Sequence, residues 1–324
     1  MKTITLHEFG PPENLRYEEA PDPVQGPGTV LIRVEAAGVH LVDTMLRSGA
    51  AGGGPIPVPE LPMTPGREVA GRVEAVGSEV DAGWIGKRVV VHLGMVPGGY
   101  AELAVAKVES LYELPDHVDG VQAVAAIGTG RTTAGILAQA QLTADDVVLI
   151  TAAAGGIGSY LIQAARNVGA TVIGLAGGPA KVRLVRDLGA HYAVDYRDPD
   201  WVSALQAELG DRAVTALLDG VGGESGQRAF ELLGVGGRVL MFGWSGGGPI
   251  RLTTEDLMNR GLTATWAIGP KLTPRLRELE KAALEETVSG RWKAVTTTFP
   301  LSEAAAAHRA LESRSTTGKV VLIP

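Results

Sequence analysis

The chain contains no cysteine, which rules out disulfides and removes the thiolate from the possible metal ligands. Aromatic residues are sparse at 5%, and the formal net charge is -7 with the basic residues scattered. That balance offers no global attraction to nucleic acid or an anionic membrane, and no aromatic and basic platform for RNA. The opening segment MKTITLHEFG has no apolar signal core, so a cytoplasmic location is expected. The six histidines, His7, His40, His92, His117, His191 and His308, show no paired spacing that would build a metal site. One uncharged run, residues 147–165, approaches the roughly twenty residues of a membrane span. Its Gly155, Gly156 and Gly158, with the polar Thr151, Ser159, Tyr160 and Gln163, argue against a span. Neither a membrane nor a nucleic-acid partner is expected.

What is present there is a strand, a turn and a helix. Val147, Val148, Leu149 and Ile150 form a β-branched and aliphatic run fit for a strand buried on both faces. Gly155, Gly156 and Gly158 then supply a tight turn whose missing Cβ atoms let backbone amides approach a phosphate. The unsatisfied amides and positive dipole end of the helix that follows complete an anion site. The spacing Ala153-x-Gly155-x-x-Gly158 is the dinucleotide fingerprint with alanine at the first glycine. It predicts that Ala154, Gly155, Gly156 and Ile157 meet a pyrophosphate. Downstream, 170–175 reads as a second strand, 181–188 as a second helix and 191–195 as a third strand, which makes a βαβ series.

At 324 residues and 45% hydrophobic, the chain is long enough for two domains. Up to about residue 118, short apolar strands alternate with Pro/Gly turns, most clearly at 29–34, 68–76 and 87–92, as in a β-rich, barrel-like domain. From about residue 121, helices alternate with strands through 213–219 and 238–242, which implies a parallel sheet covered on both faces. After 263–267, a charged helix over about 274–289 leads to a last strand at 319–323. Residues 49–66 carry five prolines and five glycines and read either as a stiff surface loop or as a loop that shapes substrate access.

Asp145, Asp146, Leu149, Ala153, Ala154, Gly155, Gly156, Gly158, Gln163 and Arg166 stand at the spacing of the quinone oxidoreductase and zeta-crystallin branch of the medium-chain dehydrogenase/reductase superfamily. The chain resembles that branch over nearly its whole length, from Leu6-His7-Glu8-Phe9-Gly10 to Val321-Leu322-Ile323-Pro324. The resemblance implies a Rossmann doubly wound parallel sheet inserted into a β-rich, GroES-like barrel domain. Residues 1–118 plus 268–324 would form the catalytic domain and 119–267 the NADP-binding domain, with the active site expected in the cleft between them. It also implies a zinc-independent, NADPH-dependent reductase of quinones or other α,β-unsaturated carbonyls, and a homodimer paired through the edge strand at 263–267. The competing functions are an enoyl-thioester reductase, against which stands the lack of any tyrosine between Tyr17 and Tyr100, and a non-catalytic NADPH-binding sensor or structural protein.

NADPH is expected over NADH because the second strand ends Leu175-Ala176-Gly177-Gly178, with no carboxylate to repel a 2′-phosphate. Lys181 and Tyr196 match the family's lysine and tyrosine at that phosphate, beside Gly177, and Arg314 matches an arginine near the cofactor. The alternatives are a solvated helix lysine, a packing tyrosine and an exposed C-terminal arginine. Zinc relatives hold their metal by Cys, His and Cys; here His40, Arg67 and Thr129 take those places, and a cationic arginine would repel the ion.

For the chemistry, His40 either donates to a substrate oxygen or is a satisfied structural residue. Asp43 either orients a donor or caps a helix beginning at Thr44. Arg67 either faces a developing enolate or pairs with Glu68 or another buried carboxylate. The resemblance places Asp43 and Thr44 beside the nicotinamide, and Thr129 and Thr132 in contact with it. Gly243, Trp244 and Ser245, after the 238–242 strand, lie where open parallel sheets bind ligands. Trp244 and Trp266 either wall the cofactor pocket or belong to the core.

Overall fold

The computed structural model describes residues 1–50, 58–94 and 98–324; residues 51–57 of the Pro/Gly-rich 49–66 segment lie outside them. The chain divides into two compact units, Met1–Thr129 with Ala294–Pro324, and Gly130–Lys293. These limits differ from the expected breaks at 118/119 and 267/268. The helix Gly120–Ala125 packs on the strands Thr29–Val39 and Glu68–Val76, so it belongs with the first unit. The charged helix Leu276–Val288 packs on the helix Arg131–Ala140, which keeps it in the second unit. Leu272 and Leu279 fill the space a side chain at position 135 would need, so Gly135 lets those two helices meet.

In the first unit, strands run in the order Thr296–Pro300, Lys319–Ile323, Thr29–Val39, Glu68–Val76, Arg88–His92 and Tyr112–Glu113, with Leu103–Lys107 also on Thr29–Val39. The eleven-residue strand Thr29–Val39 is the hub, pairing with three neighbours along its length. Its buried Val30, Ile32, Val34, Ala37 and Val39 join Val69, Val73, Val89, Val91, Val320 and Leu322 in one core. Pairing with Lys319–Ile323 is what brings the C-terminal segment back into the N-terminal sheet.

The second unit holds a six-stranded, wholly parallel sheet in the order Tyr192–Asp195, Thr171–Ala176, Val147–Ile150, Val214–Asp219, Leu233–Met241, Thr263–Trp266. Val147, Val148, Leu149 and Ile150 are all buried, as an unbroken apolar run between two helical layers requires. At the base of the sheet Asp146 accepts from Arg238 Nη1 and Nη2 at 2.9 and 2.8 Å and from Thr215 Oγ1 at 2.6 Å. Burial would raise its carboxyl, but these partners hold it well below the usual carboxylate range. Among the described residues no helix is long and apolar enough to cross a membrane.

Candidate active site

In the second unit the strand Val147–Ile150 breaks at Thr151, and Ala152 takes a positive φ of 47° to turn the chain. The helix Gly156–Asn167 then starts from Gly155, whose lack of a side chain leaves the first turn without a cap from its own sequence. A Cβ at Gly158 would run into the Ala152 carbonyl oxygen and the Ala153 backbone, so only glycine lets the helix sit this close to the strand. The result is a row of first-turn amides with no helical acceptor, the condition for binding an anion. Ala154, Gly155, Gly156 and Ile157 all belong to this turn, and this cradle fits a pyrophosphate.

The next strand, Thr171–Ala176, ends in Gly177 and Gly178, and Lys181 follows on the helix Pro179–Asp187. A Cβ on Gly177 would stand 2.6 Å from Tyr196 Oη and 3.1 Å from Arg197 Nε, and one on Gly178 would stand 3.0 Å from an Arg197 guanidinium nitrogen. Arg197 adjoins Tyr196 and carries no mark of its own in the sequence; its exposed guanidinium and the Tyr196 phenol close on one glycine corner, and the half-buried Lys181 follows on the next helix. Asp195 Oδ1 accepts from the amides of Gly178 and Arg197, both at 3.0 Å, and fixes that corner. Its carboxylate comes from the third strand and is occupied by backbone donors. A phosphate monoester suits this set of donors.

At the carboxyl end of the sheet, the buried Asp219 accepts from Thr151 Oγ1 at 2.7 Å and from the amides of Val221 and Gly222 at 3.0 Å. This network holds the loop against which Gly243 and Ser245 lie: Ser245 Oγ donates to Gly220 O at 3.4 Å. The rings of Trp244 and Trp266 are 5.1 Å apart and tilted by 32°, and both are exposed. They stand at a sheet end and are not core. Thr132 lies in this unit, on the helix Arg131–Ala140.

The first unit gathers His40, Asp43 and Arg67 and adds residues that the sequence did not announce. The helix Leu41–Ser48 is capped at His40, and Asp43 is its third residue. This corrects the expected start at Thr44: Asp43 Oδ2 accepts from the His40 amide at 2.8 Å, so the aspartate reaches back to satisfy the cap residue. Thr44 is buried, and its hydroxyl donates to Leu41 O at 2.7 Å within the helix. Asp43 also accepts from Tyr100 Oη at 3.1 Å and lies 3.7 Å from Arg67 Nε. Burial would raise Asp43, but His40 and Arg67 outweigh it and hold its carboxyl at about 2.

The His40 ring lies between two carboxylates. Its Nδ1 is 3.7 Å from Asp43 Oδ2 and its Nε2 is 3.3 Å from Glu68 Oε2. The Lys319 ammonium forms an ion pair with Glu68 from the other side. Arg67 therefore pairs with Asp43, and Glu68 turns to His40 and Lys319. With Asp43 and Glu68 ionised, Arg67 and Lys319 balance them, so the four charges around the His40 ring sum to zero. Behind Asp43, His308 Nε2 lies 3.3 Å from Tyr100 Oη. The single phenol proton is committed to Asp43, so the histidine nitrogen is the donor. Thr129 closes this unit's N-terminal stretch and is buried. Arg314 is exposed, with a positive φ of 56° just after the helix Ala304–Glu312.

Residues 26–116 match the alcohol dehydrogenase GroES-like domain and residues 156–287 the zinc-binding dehydrogenase family. A quinone oxidoreductase of Sus scrofa is 33% identical over all of this chain and 98% of its own length. The chain belongs to the quinone oxidoreductase family. It is also 33% identical to a 2-haloacrylate reductase of Burkholderia sp, over 98% of each. The structure of the Escherichia coli quinone oxidoreductase complexed with NADPH superposes with a TM-score of 0.86, at 29% identity and 100% coverage of both chains. The GroES-like and parallel-sheet architecture of the family is the one found here. Although one matching family is described as zinc-binding, the chain has no cysteine. Among the described residues no group of three or more His, Asp or Glu side chains is placed to hold a metal. The carboxylates of Asp43 and Glu68 already face the cations of Arg67 and Lys319.

Proposed function

We propose that the chain is an NADPH-dependent reductase that delivers hydride to quinones or other α,β-unsaturated carbonyls without a metal. The observation that carries this reading is the glycine turn at the head of the helix Gly156–Asn167, followed by a corner where Tyr196 and Arg197 close on Gly177 and Gly178, with Lys181 on the helix that follows. NADPH, when bound, supplies the hydride from C4 of its dihydronicotinamide. The turn amides hold the pyrophosphate, and Lys181 and Arg197 meet the 2′-phosphate with charge-assisted hydrogen bonds. Trp244 and Trp266 offer flat apolar faces beside the carboxyl edge of the sheet, where Gly243 and Ser245 shape the backbone. Thr129, Thr132, Thr44 and Arg314 are assigned to the cofactor on family likeness, with Thr44 acting through its backbone because its hydroxyl is engaged.

Hydride arrival leaves negative charge on an enolate or hydroquinone oxygen, and His40 is the group that meets it. Its Nδ1 is enclosed and the side chain is 21% exposed, so the proton leaves by the Nε2 side. Asp43 holds the ring's helix end and Arg67 keeps Asp43 ionised. Tyr100 is fully buried, and burial with the Asp43 carboxylate pushes its phenol far up, which removes it as a proton donor and weakens the enoyl-thioester reading. A homodimer through the Thr263–Trp266 edge strand fits that strand's exposed Thr263 and Trp266, and light scattering at micromolar concentration would return the mass of a pair.

The test is oxidation of NADPH and NADH in parallel, with 1,2-naphthoquinone and a small enone as acceptors, with and without chelator. Chelator-resistant turnover that favours NADPH is expected. Cofactor binding with no acceptor reduced would replace the reductase reading with that of a sensor.

A further inference from the structure

Glu68 and Lys319 are both buried charges of the first unit, with side chains 0% and 4% exposed. Nothing in hydride transfer requires them. A buried ion pair is stable when its remaining lone pairs and protons are satisfied. This one is not: Glu68 Oε1, Glu68 Oε2 and Lys319 Nζ all lack an aligned hydrogen-bond partner. Glu68 instead presents Oε2 to His40 Nε2 at 3.3 Å. Two glycines make room for that approach. A Cβ at Gly38 would overlap the Glu68 carboxylate, and a Cβ at Gly128 would overlap it too while standing 2.9 Å from His40 Nε2.

We propose that Glu68 and Lys319 are positioning residues that set the protonation of His40: Glu68 draws a proton onto Nε2, and the Lys319 ammonium behind it limits how tightly that proton is held. The proposal rests on the reading of His40 as proton donor. The step balances: the imidazolium loses its Nε2 proton to the anionic product oxygen, becomes neutral and regains a proton from water. All redox change is carried by the hydride. Without Lys319 the four flanking charges no longer sum to zero, and the surplus carboxylate would trap the proton.

The groups that face His40 are few. Asp43 comes from its own helix, with Arg67 and Tyr100 acting through Asp43, and His308 and Arg47 lie behind Tyr100. Glu68 comes from the strand Glu68–Val76, with Lys319 and His92 acting through it. Burial opposes ionisation of Glu68, yet the charges of His40 and Lys319 hold it below the ordinary carboxylate range, and burial pulls the Lys319 ammonium below its ordinary value.

The experiment is NMR titration of the ring-labelled histidines, with the His40 signal assigned by its loss in His40→Asn. Charges within this range move a titration midpoint by about 1 to 3 pH units. Glu68→Gln is expected to lower the His40 midpoint by about 1 pH unit or more, Lys319→Met to raise it, and Lys319→Arg to leave it near wild type. Loosened packing would instead move both charge-removing variants the same way; that result, or no movement in either, overturns the proposal. Should Lys319→Met not fold, the wild type decides: a neutral His40 ring with its proton on Nδ1 overturns it, and one with its proton on Nε2 supports it. The alkaline limb of kcat should follow the NMR midpoints. A limb that stays fixed while the midpoints move in opposite directions removes His40 from the chemistry, and leaves Glu68 and Lys319 as the groups that set its charge.

Discussion

His308 is fully buried on the helix Ala304–Glu312, and burial, working against Asp43 and helped by the Arg47 guanidinium, lowers its imidazole from 6.5 to about 4. Its replacement by glutamine is expected to remove much of the acid sensitivity of the first unit. The folded value lies below the unfolded one, so between those two pH values the unfolded chain binds a proton that the folded chain refuses. The contribution is complete above pH 6.5 and is lost as pH falls toward 4. At about 1.4 kcal/mol per pH unit, the full loss is about 3 kcal/mol, most of it complete by about pH 4.5.

Glutamine cannot take up the proton, and its amide can still donate to Tyr100 Oη. At pH 7.5 the variant should be less stable by about 1 kcal/mol, the usual net worth of a disturbed buried hydrogen bond. Near pH 4.5 it should equal or exceed the wild type. Because the two units need not unfold together, the assay is hydrogen exchange of peptides covering Ala304–Glu312 across a urea series, from pH 4.5 to 7.5. Parallel stability curves for wild type and variant would refute the reasoning, since they would mean that His308 protonates as easily folded as unfolded.

Three further outcomes are expected. Gly158→Ala forces its Cβ into the Ala152 and Ala153 backbone, which at about 1 to 3 kcal/mol for overpacking should weaken NADPH binding by about tenfold or more in a fluorescence titration. Lys181→Ala and Arg197→Ala should each raise the Kd for NADPH by about 10-fold or more while leaving NADH nearly unchanged, as loss of a charge-assisted bond to the 2′-phosphate predicts. Asp146→Ala strands Arg238 and Thr215 and should destabilise the second unit by about 2 kcal/mol, discounted because Arg238 is partly solvated. Hydrogen exchange in the strands Val147–Ile150 and Val214–Asp219 would report it.

How far each feature was legible depends on how local its physics is. The parallel sheet could be read because Val147 to Ile150 must be buried on both faces and the glycines that follow have one efficient use. The expectation for Lys181 is equally local, since it rests on a missing carboxylate and a nearby cation within a few residues. Arg197 sits beside Tyr196 in the same loop and carries no local mark, because only the closed corner shows that its guanidinium reaches Gly177 and Gly178. The domain limits misplaced the helices Gly120–Ala125 and Leu276–Val288, since an amphipathic helix at a boundary carries no mark of which sheet or helix it will cover.

The cluster around His40 lies at the far end of that scale. His40 and Asp43 are three residues apart, and their bond follows from helix capping, although aspartate is the residue type that favours the cap position and histidine takes it. Glu68 reads as a strand residue beside an arginine, and adjacency favours their pairing on paper. Arg67, however, stands in the bend just before the strand that begins at Glu68, and the two side chains go to different partners. Lys319 joins them only because the final strand pairs with Thr29–Val39, carrying the lysine in beside Glu68. A lysine next to Gly318 at the start of an apolar strand has every local reason to be solvated. It is buried because a carboxylate from another strand is there to meet it, and that carboxylate is tolerable because a histidine occupies its other side. No member of this group is intelligible alone, so the charge on His40 is a property of the whole sheet and the Glu68 and Lys319 variants should move it in opposite directions.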